Sequence, residues 1–77
     1  MEIKVLFFGV IADVTGISFK TYTGVKSIGD LRLRIEDEYP EIIHYHFRVS
    51  HNRYISGKDI ILRNGDEVAL LPPFAGG

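Results

Sequence analysis

Apolar and polar positions alternate with period two near both ends of the chain and recur at helical spacing in its middle. Ile3, Val5 and Phe7 alternate with Lys4, Leu6 and Phe8, a strand pattern in which both faces turn apolar from residue 5 onward. One face can lie under a helix; the other needs different cover. Gly9 breaks this strand, and Val10 to Thr15 predicts a helical turn closed by Gly16 as its C-cap. Ile17 to Thr23 reads as a second strand, with Phe19 and Thr21 facing one way and Lys20 and Tyr22 the other.

The middle of the chain changes period. Ser27 with Asp30 three residues later fits a capping-box variant. Ile28, Leu31, Ile35 and Tyr39 then form one stripe at helical spacing, with Arg32, Arg34, Glu36 and Asp37 off it. Pro40 restricts Tyr39 and stops the helix. Beyond it, Tyr45, Phe47 and Val49 alternate with His46, Arg48 and Ser50, a third strand. His51-Asn52-Arg53-Tyr54 reads as a tight turn, because Asn tolerates positive φ. Tyr54-Ile55 makes a short edge strand before Ser56-Gly57. Ile60 to Leu62 suits a 3₁₀ turn that tucks Ile61 or Leu62 into the core. Asn64-Gly65 turns the chain into a final buried strand, Val68 to Leu71. Strands flanking one main helix make an α+β fold, although periodicity does not set the strand order.

If Val5, Phe7, Val68 and Leu70 face the helix, Leu6, Phe8, Ala69 and Leu71 point to the opposite side of the sheet, and Ile55 extends that set. No second long helix pattern exists to cover it. A contiguous uncovered patch marks a partner surface; a sheet that curls over some of these residues is the plainer alternative.

Composition narrows the chemistry. The 77 residues allow one domain with one small core, and 45% apolar content is enough to fill it. A formal net charge of −1 without a basic stretch excludes a nucleic-acid binder. Cysteine is absent, so no disulfide forms and no side-chain thiol is available for sulfur chemistry. Lys4 ahead of the apolar run Val5 to Ala12 has the outline of a signal peptide, but the run is short and no small-x-small cleavage site follows. A cytoplasmic protein without a transmembrane span or a membrane partner is expected. His44 and His46 would share one side of a strand as a metal pair, yet a third ligand at suitable spacing is missing; surface histidines, with His51, and no metal are expected. No nucleophile triad, phosphate loop or catalytic carboxylate pair is present, so the chain is not expected to be an enzyme on its own.

The end of the chain is the most informative stretch. The strand is followed by Pro72-Pro73-Phe74-Ala75-Gly76-Gly77, which builds neither turn nor helix. The prolines favour an extended polyproline-II path, so residues 72–77 would form an arm reaching roughly 20 Å beyond a domain of residues 1–71. Gly76 and Gly77 remove every side chain next to the carboxylate, which is then able to enter a peptide-wide channel. The functional group is expected to be that carboxyl.

Lys4-Val5-Leu6-Phe7-Phe8-Gly9, Gly16, Tyr39-Pro40, Asn52 and the stretch from Gly65 to Gly77 resemble the MoaD/ThiS family of ubiquitin-like sulfur carriers, on the branch of the molybdopterin synthase small subunit. The resemblance implies a β-grasp roll, a mixed sheet over one main helix with the first and last strands parallel at its centre. It implies that Gly77 is adenylated by an activating enzyme that uses ATP, then converted by a sulfur donor to a thiocarboxylate. It further implies that Pro72, Pro73, Phe74, Ala75 and Gly76 insert into the large synthase subunit and that Phe8, Ile55 and Leu71 match its docking patch, to which alternation adds Leu6 and Ala69. Sulfur would pass to cyclic pyranopterin monophosphate, and this chain would itself bind no cofactor. Two departures stand out: Ala12 replaces an arginine found in many relatives, and His44 to His46 match no family pattern. The thiamin-thiazole carriers of the family are usually shorter and lack the Val10 to Gly16 insertion and the Pro72-Pro73 exit, which sets that branch behind. No residue separates this reading from tRNA thiolation or modification of protein lysines, and a plain interaction domain with an idle tail would keep its function when Gly76-Gly77 is removed.

Overall fold

The computed structural model describes residues 1–55 and 59–73. Five strands, β1 (Glu2–Phe7), β2 (Phe19–Thr23), β3 (Arg48–His51), β4 (Tyr54–Ile55) and β5 (Glu67–Leu71), form one sheet in the order β2-β1-β5-β3-β4. β1 and β5 run parallel at its centre and the other pairs are antiparallel. This is the mixed β-grasp sheet that the resemblance implied.

Helix α2 (Ile28–Glu38) covers one face. Ser27 caps it, its side chain accepting the Asp30 N–H at 3.1 Å. Asp30 reaches back to the Lys26 N–H rather than to that of Ser27, so the box closes one residue earlier than the usual reciprocal pair. Leu31 and Ile35 are fully buried against Ile3, Val5, Phe7, Tyr22, Val68 and Leu70 of the sheet, with Ile28 and Tyr39 packed at the margin. Each buried aliphatic side chain contributes about 1.5–3 kcal/mol of transfer free energy, far more than a cap. The Tyr22 hydroxyl donates to Glu38 at 2.7 Å, tying β2 to the end of α2, and burial with this bond pushes the phenol's pKa upward.

The short helix α1 (Gly9–Thr15) follows β1 and ends on Gly16 in the left-handed conformation, as its spacing predicted. Three expectations need correction. Pro40 does not lead directly toward a strand; Pro40–His44 form a 3₁₀ helix, since proline at a first helical position costs no hydrogen bond, and Ile42 is buried beneath it. The third strand consequently begins at Arg48 rather than Tyr45 and runs through His51. Residues Ile60 to Leu62 form no 3₁₀ turn: Ile61 makes an isolated bridge with Ser27 and stays exposed, while Leu62 enters the core. The tight turn between β3 and β4 is as expected, His51 pairing with Tyr54 and Asn52 and Arg53 between them at φ 48° and 75°. Ser56-Gly57 lie outside the described residues.

Candidate functional site

The face of the sheet away from α2 is crossed by a register row that takes one residue from every strand. Phe19 lies opposite Leu6, Leu6 beside Ala69, Ala69 opposite Ser50, and Ser50 opposite Ile55. Strand alternation puts Phe19, Leu6, Ala69 and Ser50 on one side, since Tyr22, Val5, Val68, Leu70 and Val49 of the same strands face the core, and pairing with Ser50 places Ile55 with them. Leu6, Phe8, Ser50, Arg53, Ile55, Glu67, Ala69 and Leu71 line an open concavity of about 380 Å³ on this face. The five apolar residues expected to form a patch are therefore brought together.

They are not equally accessible. Phe8 and Ile55 are 44% and 51% exposed and Leu6 and Leu71 half-buried, whereas Ala69 is only 8% exposed. Ala69 is the smallest residue of the row and sits between Leu6 and Ser50, so it forms the floor and not a projecting contact. The expectation that the final strand presents Ala69 outward holds for its direction and fails for its exposure. Phe19 is a further apolar residue of this face, 54% exposed, with the Lys4 ammonium 5.5 Å from its ring centre. The second strand's alternation placed Phe19 beside Thr21, but only the hairpin register with Leu6 shows that this side continues the patch.

Charges border the apolar floor. Arg53 and Glu67 line the concavity, and Arg48 lies opposite Leu71 at its far end. Arg53 holds a left-handed backbone, a position at which glycine is the unstrained residue.

The chain leaves the sheet from its centre, because β5 is flanked by β1 and β3. Leu71 is the last strand residue; Pro72 is half-buried and Pro73 exposed. The Phe8 N–H donates to the Leu70 carbonyl at 3.1 Å, so the β1–β5 ladder closes beside the exit. The exit and the patch thus share one end of one sheet face. The expected inserting residues Phe74, Ala75 and Gly76, and the expected reactive Gly77, lie outside the described residues.

The histidines separate. His44 ends the 3₁₀ helix and His46 precedes β3, so they do not share a strand face. Both are exposed, and among the described residues no group of three or more potential ligands gathers for a metal ion. His51 instead hydrogen-bonds Asp66 at 2.8 Å. Asp66 also accepts from the Arg63 N–H at 2.9 Å and the Asn52 amide at 3.2 Å. The His51 bond above all, then the Arg63 N–H, lowers its pKa to about 2 against partial burial. This network ties the loop that feeds β5 to the turn after β3. No local pattern joins Asp66 to His51, since the two are brought together by the pairing of β3 with β5.

Comparison with known proteins gives the chain's kinship and agrees with its fold. Residues 5–77 match the ThiS family. The molybdopterin synthase sulfur carrier subunit of Chlamydomonas reinhardtii is 32% identical, with all of both chains covered. The human protein of that name is 29% identical over 99% of this chain and 94% of its own length. A putative molybdopterin converting factor subunit 1 from Pyrococcus furiosus superposes with a TM-score of 0.84 at 19% identity, covering 95% of this chain and 98% of that one. SAMP1 of Haloferax volcanii gives 0.80 at 22% with full coverage of both. The Helicobacter pylori complex of subunits 1 and 2 of molybdopterin-converting factor contains a chain that gives 0.74 at 22%, again with full coverage. At these identities the structural likenesses establish the β-grasp fold, and the sequence matches establish kinship: this chain belongs to the ThiS family, among relatives that are molybdopterin synthase sulfur carrier subunits.

Proposed function

We propose that this chain is the sulfur-carrier subunit of a molybdopterin synthase, acting in the cytoplasm, and that it carries sulfur on the carboxyl of Gly77. The observation that carries the reading is the adjacency of the apolar concavity around Leu6, Phe8, Ile55, Ala69 and Leu71 to the point where the chain leaves β5 at Pro72. One partner is then able to grip the body and receive the arm together. The absence of cysteine supports main-chain chemistry, because no thiol is available to hold sulfur.

In this reading a carboxylate, itself a poor electrophile, attacks the α-phosphate of ATP on an activating enzyme and displaces pyrophosphate. The resulting acyl-adenylate has a good leaving group. Hydrosulfide from a sulfur donor attacks the carbonyl carbon, AMP departs, and a thiocarboxylate remains. The charged arm (Pro72, Pro73, Phe74, Ala75 and Gly76) enters the large synthase subunit, where the sulfur passes to cyclic pyranopterin monophosphate on the way to a dithiolene for molybdenum or tungsten. The domain supplies no catalytic side chain; it is a handle that docks and an arm that delivers, and it binds no cofactor itself.

The test is intact-mass measurement after incubation with the activating enzyme, ATP and sulfide. Replacement of one oxygen by sulfur, mapped to Gly77, is the expected result. A chain whose final carboxyl is amidated should gain no sulfur and support no pterin thiolation. Lysine-linked conjugates that vanish on deletion of Gly77, with no sulfur gained, would instead identify a protein modifier.

A further inference from the structure

Gly9 and Pro72 meet where β1 gives way to α1 and β5 gives way to the arm. Gly9 has φ +56°, and a Cβ added there would stand 2.6 Å from Pro72 Cγ, 3.5 Å from its Cδ and 3.8 Å from its Cβ. The pyrrolidine ring therefore rests on bare backbone. Non-bonded carbons settle at about 3.5–4.0 Å, so any side chain at position 9 must displace the ring. Gly16 and Gly65 also have positive φ, yet a Cβ at either would meet nothing within 4 Å. Those two glycines serve their turns alone, while Gly9 additionally makes room for a neighbour.

That neighbour is the first residue of the arm. Proline has a locked φ, so a displaced ring re-aims the chain that follows instead of absorbing the change in its own dihedral. A shift of about 1 Å at the ring is carried along an arm whose extended reach is roughly 20 Å. Misplacement of about that size at a reacting group costs as much as 10²-fold in rate.

We propose that Gly9 is a positioning residue for the arm: its side-chain-free backbone is the seat of Pro72 and sets the direction in which the chain leaves the sheet. The proposal rests on the sulfur-carrier reading and adds to it a determinant at the far end of the sequence from Gly77.

Gly9→Asn is the informative variant, because Asn accepts left-handed backbone and still brings a Cβ. Affinity of the folded variant for the large subunit should stay within about threefold of wild type, since the apolar patch is unchanged. Single-turnover sulfur transfer from its thiocarboxylate should fall about 10- to 100-fold. Pro72→Ala should also slow transfer, and the double variant should be no slower than the slower single one, because both act through the same contact. Unchanged transfer by folded Gly9→Asn, losses that multiply in the double variant, or affinity falling in step with rate would each overturn the proposal. Nuclear Overhauser contacts between Gly9 Hα and Pro72 Hγ in the wild-type chain give a readout that needs no sulfur chemistry. They should be present, and Gly9→Asn should shift the resonances of residues 73–77 while sparing β2 and α2. If the wild-type thiocarboxylate transfers nothing, the carrier reading fails by itself, and these contacts still decide whether the seat exists.

Discussion

Among single residues, Asp66 and Arg53 make opposite predictions about stability. The Asp66 carboxyl titrates lower in the folded chain, at about 2, than its ordinary value of 3.8, so its network stabilises the fold above that ordinary value and loses the contribution as pH falls toward 2. Asp66→Asn should cost on the order of 1 kcal/mol at neutral pH and almost nothing near pH 2, read from urea titrations at both. Arg53 occupies φ 75°, where an L side chain costs about 1–2 kcal/mol and glycine costs none. Allowing for the extra freedom of an unfolded glycine, Arg53→Gly should raise stability by about 0.5–1 kcal/mol. In the proposed function the same change should weaken docking, because Arg53 lines the concavity. Turn chemistry made Asn52 legible in the sequence. It did not reveal Arg53, which has no propensity for this backbone and is held there by the pairing of β3 with β4.

At the scale of elements, legibility followed the strength of the local signal. The α2 stripe Ile28, Leu31, Ile35, Tyr39 and its Ser27 cap lie where spacing put them, because helical period and cap are both local properties. Strands β1 and β5 were equally plain, β1 by its alternation of Ile3, Val5 and Phe7 and β5 by its short apolar run. The stretch from Pro40 to His51 departs from its pattern at the start, although Tyr45, Phe47 and Val49 alternate as well as any strand. What decides against Tyr45 is the extent of the partner: β5 offers residues only from Val68 to Leu71 opposite His51 to Arg48. Pairing length, a property of two elements, overrode the pattern of one. The cap and the stripe differ in magnitude, which can be measured. Ser27→Ala should cost about 1 kcal/mol, and Ile35→Ala about 2–5 kcal/mol because it leaves a cavity under the sheet. Equal losses from the two in chemical denaturation would mean that α2 is held by its end and not by its buried face.

For the whole molecule, the proposed division of labour between body and arm predicts that binding and stability come apart. Phe8→Asp or Ile55→Asp alters exposed side chains and should move the melting temperature by only a few degrees. Affinity for the large subunit should drop by at least tenfold if the patch holds a binding hot spot. Deleting Gly76 and Gly77 should leave both melting temperature and docking intact and abolish sulfur transfer; a clear loss of stability would show that the arm belongs to the fold. The β-grasp arrangement itself came from resemblance, since no periodicity says that strands far apart in sequence lie side by side. That arrangement also sets an order in time. The strand in the middle of the sheet, β5, is made last, so β1 waits for its parallel neighbour until nearly all of the chain has been translated. A nascent chain halted before Glu67 can pair β1 only with β2, and it leaves the inner faces of β1 and α2 open to water and to chaperones. Closure of the core thus waits for β5, and under the proposed function an activating enzyme that recognises the folded body would be kept from charging chains in which that strand has yet to dock.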